Sequence, residues 1–323
     1  MDFLFVMDPL ERINPQTDTT WALMKSARAA GHRSYFTRGQ DLSLVQGRAY
    51  ARAREVQVPG AGGPFSYLSE AVVRAVESFE VTWLRTDPPF DLRYVETTWL
   101  LDTVDRLKTL LVNDPAGVRG ANEKLYALRF GAYSPPTLVT ADLEVLKRFV
   151  RDHREVVLKP LMGAGGEGIL FAHQGMRGLN SLLEMATASG RRTLAQAYLP
   201  ASDQGDLRVL LLEGECLGAV LRVHGEGEER NNLHLGGSAA PGVLDAKTLE
   251  IIAALAPSLR ADGLHFVGID VIGGFLTEVN VTSPTGIQEM ERLDGVDRGA
   301  RVISWCEAKV RKLQARLGSG PVQ

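Results

Sequence analysis

Hydrophobic residues in the first third of the chain form short continuous runs separated by stretches with helical spacing. The apolar run Phe3–Met7 is too short for a helix and predicts a buried strand. Apolar residues recur at helical spacing through Thr19–Ala30, and Gly31 is a typical residue just past a helix. The pattern predicts strands at 3–7, 81–84 and 110–112, and helices at 19–30 and 91–107. Strand, helix and strand in this order predict an α/β layer with a mainly parallel sheet.

The pattern continues with more strands after residue 122. Pro135 and Pro136 mark an extended connection, and a polar, glycine-rich segment covers residues 225–242. Near the C-terminus, apolar residues from Val302 to Leu317 follow one another at intervals of 4, 4, 3 and 4, which places them on one helix face. Predicted helices are 123–130, 142–150, one containing Met185, and 245–260; predicted strands are 155–159, 169–172, 193–197, 206–212, 216–223, 263–272 and 275–281.

Composition excludes several classes of protein. The 323 residues include 36 basic and 39 acidic side chains with no basic block, which argues against general nucleic-acid binding. Two cysteines, Cys216 and Cys306, cannot form a disulfide framework or a clustered metal site. The sequence has no apolar run of about 18 residues and no signal-peptide pattern, so we expect no membrane span and a reducing, cytoplasmic setting.

The glycine cluster Gly163–Gly168 satisfies the G-x-G-x-x-G pattern by letter. A dinucleotide-binding turn needs a helix after the glycines, whereas Ile169–Ala172 is apolar and favours a strand. The context therefore predicts a hairpin lid over phosphates, with an unliganded hairpin turn as the alternative. Lys159 ends the apolar run before the loop and needs a counter-anion such as phosphate, unless it reaches solvent. Lys124, on a predicted helix, is by itself a weaker candidate.

The strongest local group of candidate ligands is Asp270, Glu278 and Asn280. Glu278 and Asn280 are two residues apart on a predicted strand, so they share one face. A three-residue loop from Gly273 would place Asp270 opposite Glu278, while a two-residue loop would turn Asp270 to the other face. Carboxylate and amide oxygens suit Mg²⁺ with substrate phosphates. The alternative is a pair of outward polar residues on a half-buried strand.

Two arginines, Arg208 and Arg222, lie in the predicted strands 206–212 and 216–223, and a third, Arg230, lies in the loop 225–237. Guanidinium groups suit bidentate binding of carboxylate or phosphate, although surface ion pairs are the alternative for each. The sequence has no G-x-S-x-G motif, and its six histidines lack metal-ligand spacing. These residues fit a reaction in which the protein neutralises charge and does not supply a nucleophile.

These motifs together resemble the prokaryotic-type glutathione synthetases of the ATP-grasp superfamily. The Asp-Pro-Pro-Phe-Asp segment at 87–91 and the run Leu276–Thr285 are specific to that family. The resemblance implies an α/β fold with α+β elements, in which a Rossmann-like pre-ATP-grasp domain (1–121) precedes a central lid subdomain (122–199), a C-terminal catalytic subdomain (200–317) and a tail (318–323). It also implies a homo-oligomer.

The resemblance implies a reaction and a role for each matching residue. ATP phosphorylates the carboxylate of γ-glutamylcysteine, and the amine of glycine attacks the acyl phosphate. Implied ATP-binding residues are Lys124, Lys159, Gly163, Gly165, Gly166, Gln196, Tyr198, Leu199 and Asp206. Implied catalytic residues are Arg208, Arg222, Arg230 and Gly237. Implied substrate-binding residues are Asp18, Arg85, Arg222, Arg230, Asn232, Gly236 and Ser283. Implied ligands of two Mg²⁺ ions, or of Mn²⁺, are Asp270, Glu278 and Asn280.

Some positions depart from the family pattern and keep a second function open. They lie in the lid, in the loop 225–237 that is expected to close over the intermediate, and at the substrate end: Thr86, Met162, His234, Leu235, Gly286 and Gln288. The alternative in the same class is a related ATP-grasp carboxylate–amine ligase with another peptide or amino-acid pair. A nucleotide-binding regulatory protein without catalysis is a third interpretation, against which the retained Asp270, Glu278, Asn280 and Arg208 argue.

Overall fold

A computed structural model describes residues 1–59, 65–225 and 236–318. Among these residues, no helix is both long and apolar enough to cross a membrane. The strands are β1 Asp2–Met7, β2 Arg33–Thr37, β3 Leu42–Val45, β4 Arg48–Gln57, β5 Ser66–Tyr67, β6 Val72–Ala75, β7 Val81–Arg85, β8 Leu110–Val112, β9 Thr137–Thr140, β10 Glu155–Pro160, β11 Leu170–His173, β12 Thr193–Ala197, β13 Asp206–Leu212, β14 Glu215–Val223, β15 Ser238–Pro241, β16 Phe266–Ile272 and β17 Phe275–Asn280.

The α-helices agree with most of the helices expected from the hydrophobic pattern. They are α1 Thr19–Ala29, α2 Leu92–Asp102, α3 Pro115–Gly120, α4 Glu123–Leu128, α5 Leu143–His153, α6 Leu179–Ala186, α7 Ala246–Ala261, α8 Ile287–Asp294 and α9 Arg298–Gly318. Helix α2 ends at Asp102, before the predicted residue 107, and a separate turn follows in which the Asp105 side chain accepts from the backbone of Leu107.

The first sheet has the strand order β3-β4-β2-β1-β7-β8. Strands β2, β1, β7 and β8 are parallel, as the α/β pattern predicted. Strand β1 is buried on both faces, with Phe3 and Phe5 in one core and Leu4 and Val6 in the other. The antiparallel strands β3 to β6 were not predicted, although β4 alternates buried Ala49, Ala51 and Ala53 with more exposed neighbours.

The second sheet, ordered β11-β10-β12-β9, is antiparallel and carries α5 and α6 on its core side. Strand β9 lies where the sequence predicted only an extended connection. Strands β10 and β11 form the hairpin expected around the glycine loop, with Val157 opposite Phe171. The interpretation of this loop as strand–loop–strand is therefore confirmed.

The third sheet, ordered β15-β14-β13-β16-β17, is also antiparallel. Helix α4 packs against β17, and α8 packs against β14 and β15. Asn113, after β8, donates to the backbone oxygens of Phe266 and Val281 and accepts from the nitrogen of Phe266. These bonds tie the first sheet to the third. The domain boundaries at 121, 199 and 317 stay predictions.

Candidate active site

The β16–β17 hairpin places the predicted metal ligands side by side. Its turn has two residues, Gly273 and Gly274, so the three-residue loop was wrong. A β-bulge at Thr277 adds the residue that the turn lacks, and Asp270 lies opposite Glu278. The Thr277 hydroxyl donates to the Asp270 carbonyl oxygen at 3.1 Å and anchors the bulge.

Two arginines and two aspartates form a buried cluster on the same face of the third sheet. Arg208 forms a bidentate pair with Asp270, at 2.6 and 3.1 Å. Arg222 forms a bidentate pair with Asp206, at 2.6 and 2.7 Å, and its Nη2 also lies 3.1 Å from an Asp270 oxygen. Because Asp206 faces Arg222 and Arg208 faces Asp270 across adjacent strands, strand register alone assembles the cluster.

The cluster shifts the titration of its members in opposite directions. Burial by itself would raise the pKa of Asp270, but the charges of Arg208 and Arg222 outweigh it and hold that pKa well below its ordinary value. Burial raises the pKa of Asp206, and the nearby Asp270 charge also raises it; together these effects outweigh the opposing charges of Arg222 and Arg208. Asp270 is therefore the more firmly ionised of the two acids.

Lys124 is buried, not a solvated surface lysine. Asn122 caps α4 by accepting from the backbone nitrogens of Lys124 and Leu125. The cap starts the helix so that the Lys124 ammonium lies 3.1 Å from Glu278 and donates to the Gly163 carbonyl at 2.5 Å. One lysine thus connects the glycine loop with the acidic hairpin.

Lys159 lies on β10 of the second sheet, just before the glycine loop. Its ammonium donates to the Gln196 side-chain oxygen at 3.0 Å, and burial lowers its pKa. Lys159 and Gln196 lie on the adjacent strands β10 and β12, which explains how they meet. Because its ammonium bonds to Gln196 at a cavity wall, the structure favours a phosphate-binding Lys159 over a lysine extended into solvent.

That cavity lies between the second and third sheets and is partly open to solvent. Its walls carry the predicted ATP-binding residues. They include Lys124, Lys159, Gly163, Gly165, Gly166, Gln196, Tyr198, Leu199 and Asp206. Apolar Val157, Ile169, Phe171 and Ile272 supply flat surfaces. We call this space the nucleotide cavity.

A second cavity, also partly open to solvent, lies between the first and third sheets. Ala164, Gly165, Arg222 and Glu278 line both cavities, so the two meet at these residues. Asp18 and Ser283 line it as predicted, together with Arg208 and Asn280. We call it the substrate cavity.

Arg85 is predicted to bind substrate but does not line either of these cavities. It is buried, donates to the Thr20 hydroxyl and the Pro284 carbonyl, each at 3.1 Å, and has its pKa lowered by burial. In these contacts Arg85 supports the segment that carries Ser283. Direct contact with substrate stays a prediction.

The loop expected to close over the intermediate is described only at its ends. Gly236 is exposed at a turn, and Gly237 is half-buried before β15. Arg230 and Asn232, like His234 and Leu235, lie outside the described residues. Their predicted roles stay predictions.

The structure adds site residues that the sequence did not single out. Glu123 is the first residue of α4, and its Oε1 accepts from the backbone of Val281 and Thr282 and from the Thr282 hydroxyl. Asp87 and Glu289 also line the substrate cavity. The available signals were the capping residue Asn122 before Glu123 and the Asp-Pro-Pro-Phe-Asp segment that begins at Asp87. Glu289 had none, since its helix was not predicted.

Two departures from the family pattern hold the substrate end together. Gln288 donates to the Asp18 carbonyl at 2.6 Å, and the Gly286 nitrogen donates to the Thr19 hydroxyl at 3.2 Å. Gly286 has φ = 134°, a conformation in which glycine is the favoured residue. Both residues therefore contact the start of α1, where Asp18 lies.

Gly205 precedes the first cluster residue and leaves no space for a side chain. Its φ is 111°, and a Cβ there would lie 2.5 Å from the Arg222 carbonyl oxygen. We expect Gly205→Ala to move Asp206 away from Arg222 and to lower the free energy of unfolding by about 1–3 kcal/mol. Gly31→Ala is the matched control, because Gly31 has φ = 79° but no atom of the described chain within 4 Å of such a Cβ. Chemical unfolding of both variants measures the difference, and equal losses would contradict the steric argument.

Comparison with known proteins agrees with this geometry. The family models described as the N-terminal domain and the ATP-grasp domain of prokaryotic glutathione synthetase match residues 1–119 and 123–295. The chain belongs to the prokaryotic glutathione synthetase family. The glutathione synthetases of Synechocystis sp. and Thermosynechococcus vestitus are 43% and 44% identical to it over 317 and 315 residues. Those alignments cover 95% and 94% of this chain and 99% of each relative.

Solved structures place this glutathione synthetase family member in the ATP-grasp fold. The crystal structure of D-cycloserine synthetase DcsG matches it with a TM-score of 0.64 and 18% identity, over 97% of this chain and all of the other. At that identity the likeness concerns the fold alone. The predicted family, fold class and enzyme class are confirmed: the chain is an ATP-dependent ligase that forms C–N bonds.

Proposed function

We propose that the chain joins γ-glutamylcysteine to glycine through an acyl phosphate formed at the junction of its two cavities. The observation that supports this is the shared wall: Gly165, Arg222 and Glu278 line both the nucleotide cavity and the substrate cavity. A nucleotide in one cavity and a carboxylate in the other would meet there. Proximity of this kind accounts for a large part of catalysis in phosphoryl transfer.

ATP would lie in the nucleotide cavity with its phosphates toward the lysines. Lys124 and Lys159 supply the positive charge, and the backbone of the Gly163–Gly168 loop covers the phosphates. The adenine would lie near Gln196, Tyr198 and Leu199. In the structure Lys124 pairs with Glu278 and Lys159 with Gln196, so bound phosphates would take over from these contacts.

The donor set at the junction fits a divalent cation. Among the described residues, no three His, Cys, Asp or Glu side chains form a metal cluster of their own. Asp270, Glu278 and the Asn280 amide nevertheless supply hard oxygen donors on one sheet face, and Glu278 is 26% exposed to the cavities. Mg²⁺ commonly completes such a set with substrate phosphates and water. When bound, it would neutralise charge on the transferred phosphoryl group.

The chain's own residues would direct the two chemical steps. The substrate carboxylate oxygen attacks the terminal phosphorus of ATP, and ADP leaves. The glycine nitrogen then attacks the acyl carbon, loses a proton, and expels phosphate. Arg208, which lines the substrate cavity while bonded to Asp270, would stabilise the acyl phosphate and the negative charge of the tetrahedral intermediate. Arg222 and Arg230 would bind substrate carboxylates, and the loop 225–237 would exclude water.

One assay tests the proposal. Purified protein receives ATP, MgCl₂, γ-glutamylcysteine and glycine, and phosphate release and product mass are followed together. We expect one phosphate per glutathione formed, with little phosphate when glycine is omitted. Phosphate release with another acid–amine pair, but not with this one, would favour the related-ligase alternative. A lack of phosphate with every pair would contradict both.

Lys159→Met tests the assignment of the nucleotide cavity. Loss of one buried charge from the phosphate site should raise the KM for ATP about 10- to 100-fold. Lys147→Met is the control, because Lys147 lies on α5 of the same subdomain and pairs with the exposed Glu144 at 2.8 Å. Initial rates over a range of ATP concentrations decide the point. Equal KM values in the two variants would reject the role of Lys159.

A homo-oligomer and a cytoplasmic location also stay proposals. Sedimentation velocity of the purified chain measures the first, and fractionation of the producing cell measures the second. Neither result would alter the assignment of the two cavities.

A further inference from the structure

The substrate cavity contains an acidic side chain that the proposed chemistry does not use. Glu289 lies in the first turn of α8, is 5% exposed, and lines the cavity. Its Oε1 lies 3.3 Å from Arg292, while its Oε2 is buried with no hydrogen-bond partner among the described residues. A buried carboxylate oxygen with no donor is unfavourable and indicates a missing cationic or N–H partner.

Glu289 lines the substrate cavity but not the nucleotide cavity. Its partner Arg292 donates to the carbonyl of Gln16. The neighbouring Gln288 donates to the Asp18 carbonyl. These bonds place Glu289 beside the segment between α1 and the 3₁₀ turn at Leu10–Arg12, which forms part of the wall of the cavity.

The charges in this cavity match one part of the proposed acid substrate. The cavity wall carries the carboxylate of Asp18 and the guanidinium of Arg12. The Asp18 Oδ1 already accepts from the backbone of Trp21 as the cap of α1. A γ-glutamyl group ends in an α-ammonium next to an α-carboxylate, several bonds from the cysteinyl carboxylate that reacts. Such a group needs an anion and a cation in the same cavity, and Glu289 and Arg12 both line this one.

We propose that Glu289 binds the α-ammonium group of the acid substrate and thereby selects an amino-bearing acyl donor. The inference rests on the proposed function and specifies its substrate class. The ammonium would donate to Oε2, while Arg292 continues to hold Oε1. Glu289 would act in binding and selection, with no part in proton transfer to the reacting atoms.

Paired substrates test this inference in the intact protein. Glutarylcysteine keeps both carboxylates and the thiol of γ-glutamylcysteine but lacks the α-ammonium. We expect the wild-type kcat/KM to be about 10- to 100-fold lower for glutarylcysteine. Glu289→Gln should reduce this ratio to near one, mainly by raising the KM for γ-glutamylcysteine, with the KM values for ATP and glycine unchanged. Glu289→Asp, which keeps the charge, should retain part of the discrimination.

Glu250→Gln is the matched control, because Glu250 is 60% exposed on α7 and pairs with Lys247 at 3.5 Å. It should keep the wild-type ratio. An equal loss of kcat/KM with both acids in Glu289→Gln, or a rise in the KM for glycine alone, overturns the inference. A wild-type kcat/KM ratio near one between the two acids also overturns the inference. This measurement needs no variant, so it stays valid even if Glu289→Gln misfolds. Absence of turnover by wild type with γ-glutamylcysteine would instead reject the proposed function, and the inference with it.

Discussion

Glu278→Gln should leave a folded protein that has lost most of its ligase activity, by about 10²- to 10³-fold in kcat. The substitution keeps the shape of the side chain and removes a negative charge at the junction of the two cavities. Glu278 pairs with Lys124 at 3.1 Å and lies opposite Asp270. Without that charge, a cation and the phosphates beside it would lose one of two carboxylate partners.

Steady-state phosphate release with γ-glutamylcysteine and glycine measures the loss, and circular dichroism checks the fold. Glu144→Gln is the control, because Glu144 is 71% exposed on α5 and far from either cavity lining. A titration with MgCl₂ adds a second readout, since loss of a metal ligand should raise the Mg²⁺ concentration needed for half-maximal rate. Unchanged turnover in Glu278→Gln would reject the role.

Asp270→Asn should lower the free energy of unfolding by about 3–5 kcal/mol as well as abolish activity. Asp270 is buried between Arg208 and Arg222, and the four-residue cluster with Asp206 has no net charge. Removing one carboxylate leaves an uncompensated buried guanidinium. Urea unfolding near neutral pH measures the change. Asp152→Asn, which affects an exposed pair with Arg151 at 3.6 Å, is the control.

The same variant predicts a change in acid stability with a definite sign. Ion pairing holds the pKa of Asp270 below its ordinary value of 3.8. A carboxyl with a lowered pKa in the folded state stabilises the fold fully above its ordinary pKa, and this contribution is lost as the pH falls below it. The wild type should therefore lose stability more steeply than Asp270→Asn below about pH 4. Parallel unfolding curves for the two proteins would contradict the assigned ion pairs.

The sequence by itself determined the elements that carry the site. Continuous apolar runs predicted the strands that contain or flank Lys159, Arg208, Arg222, Asp270 and Glu278. A strand buried on both faces is apolar throughout, and a strand buried on one face alternates apolar and polar residues, so neighbouring residues alone show the pattern. Side chains two apart on a strand share a face, so spacing alone pairs Asp206 with Arg208 and Glu278 with Asn280. Resemblance of motifs supplied the family, which the comparisons confirm.

Strands whose apolar content is modest were missed for a physical reason. Strands β3 to β6 bury mainly alanines, so their pattern is weak although their hydrogen bonds are regular. The sequence left the turn length of the β16–β17 hairpin open and did not predict the bulge at Thr277, which lets a two-residue turn place Asp270 opposite Glu278. Several combinations of turn length and bulge give one register, and a sequence does not separate them.

Only the tertiary structure decided how these elements form a site. Lys124 is a helix residue, and its burial depends on α4 packing against β17. Arg85 supports Pro284 from the first sheet, and Glu289 lies at the substrate cavity because α8 meets the segment before α1. These contacts join residues more than 100 positions apart. Local patterns record which face of an element is buried, whereas the partner that buries it is set by the packing of the whole chain.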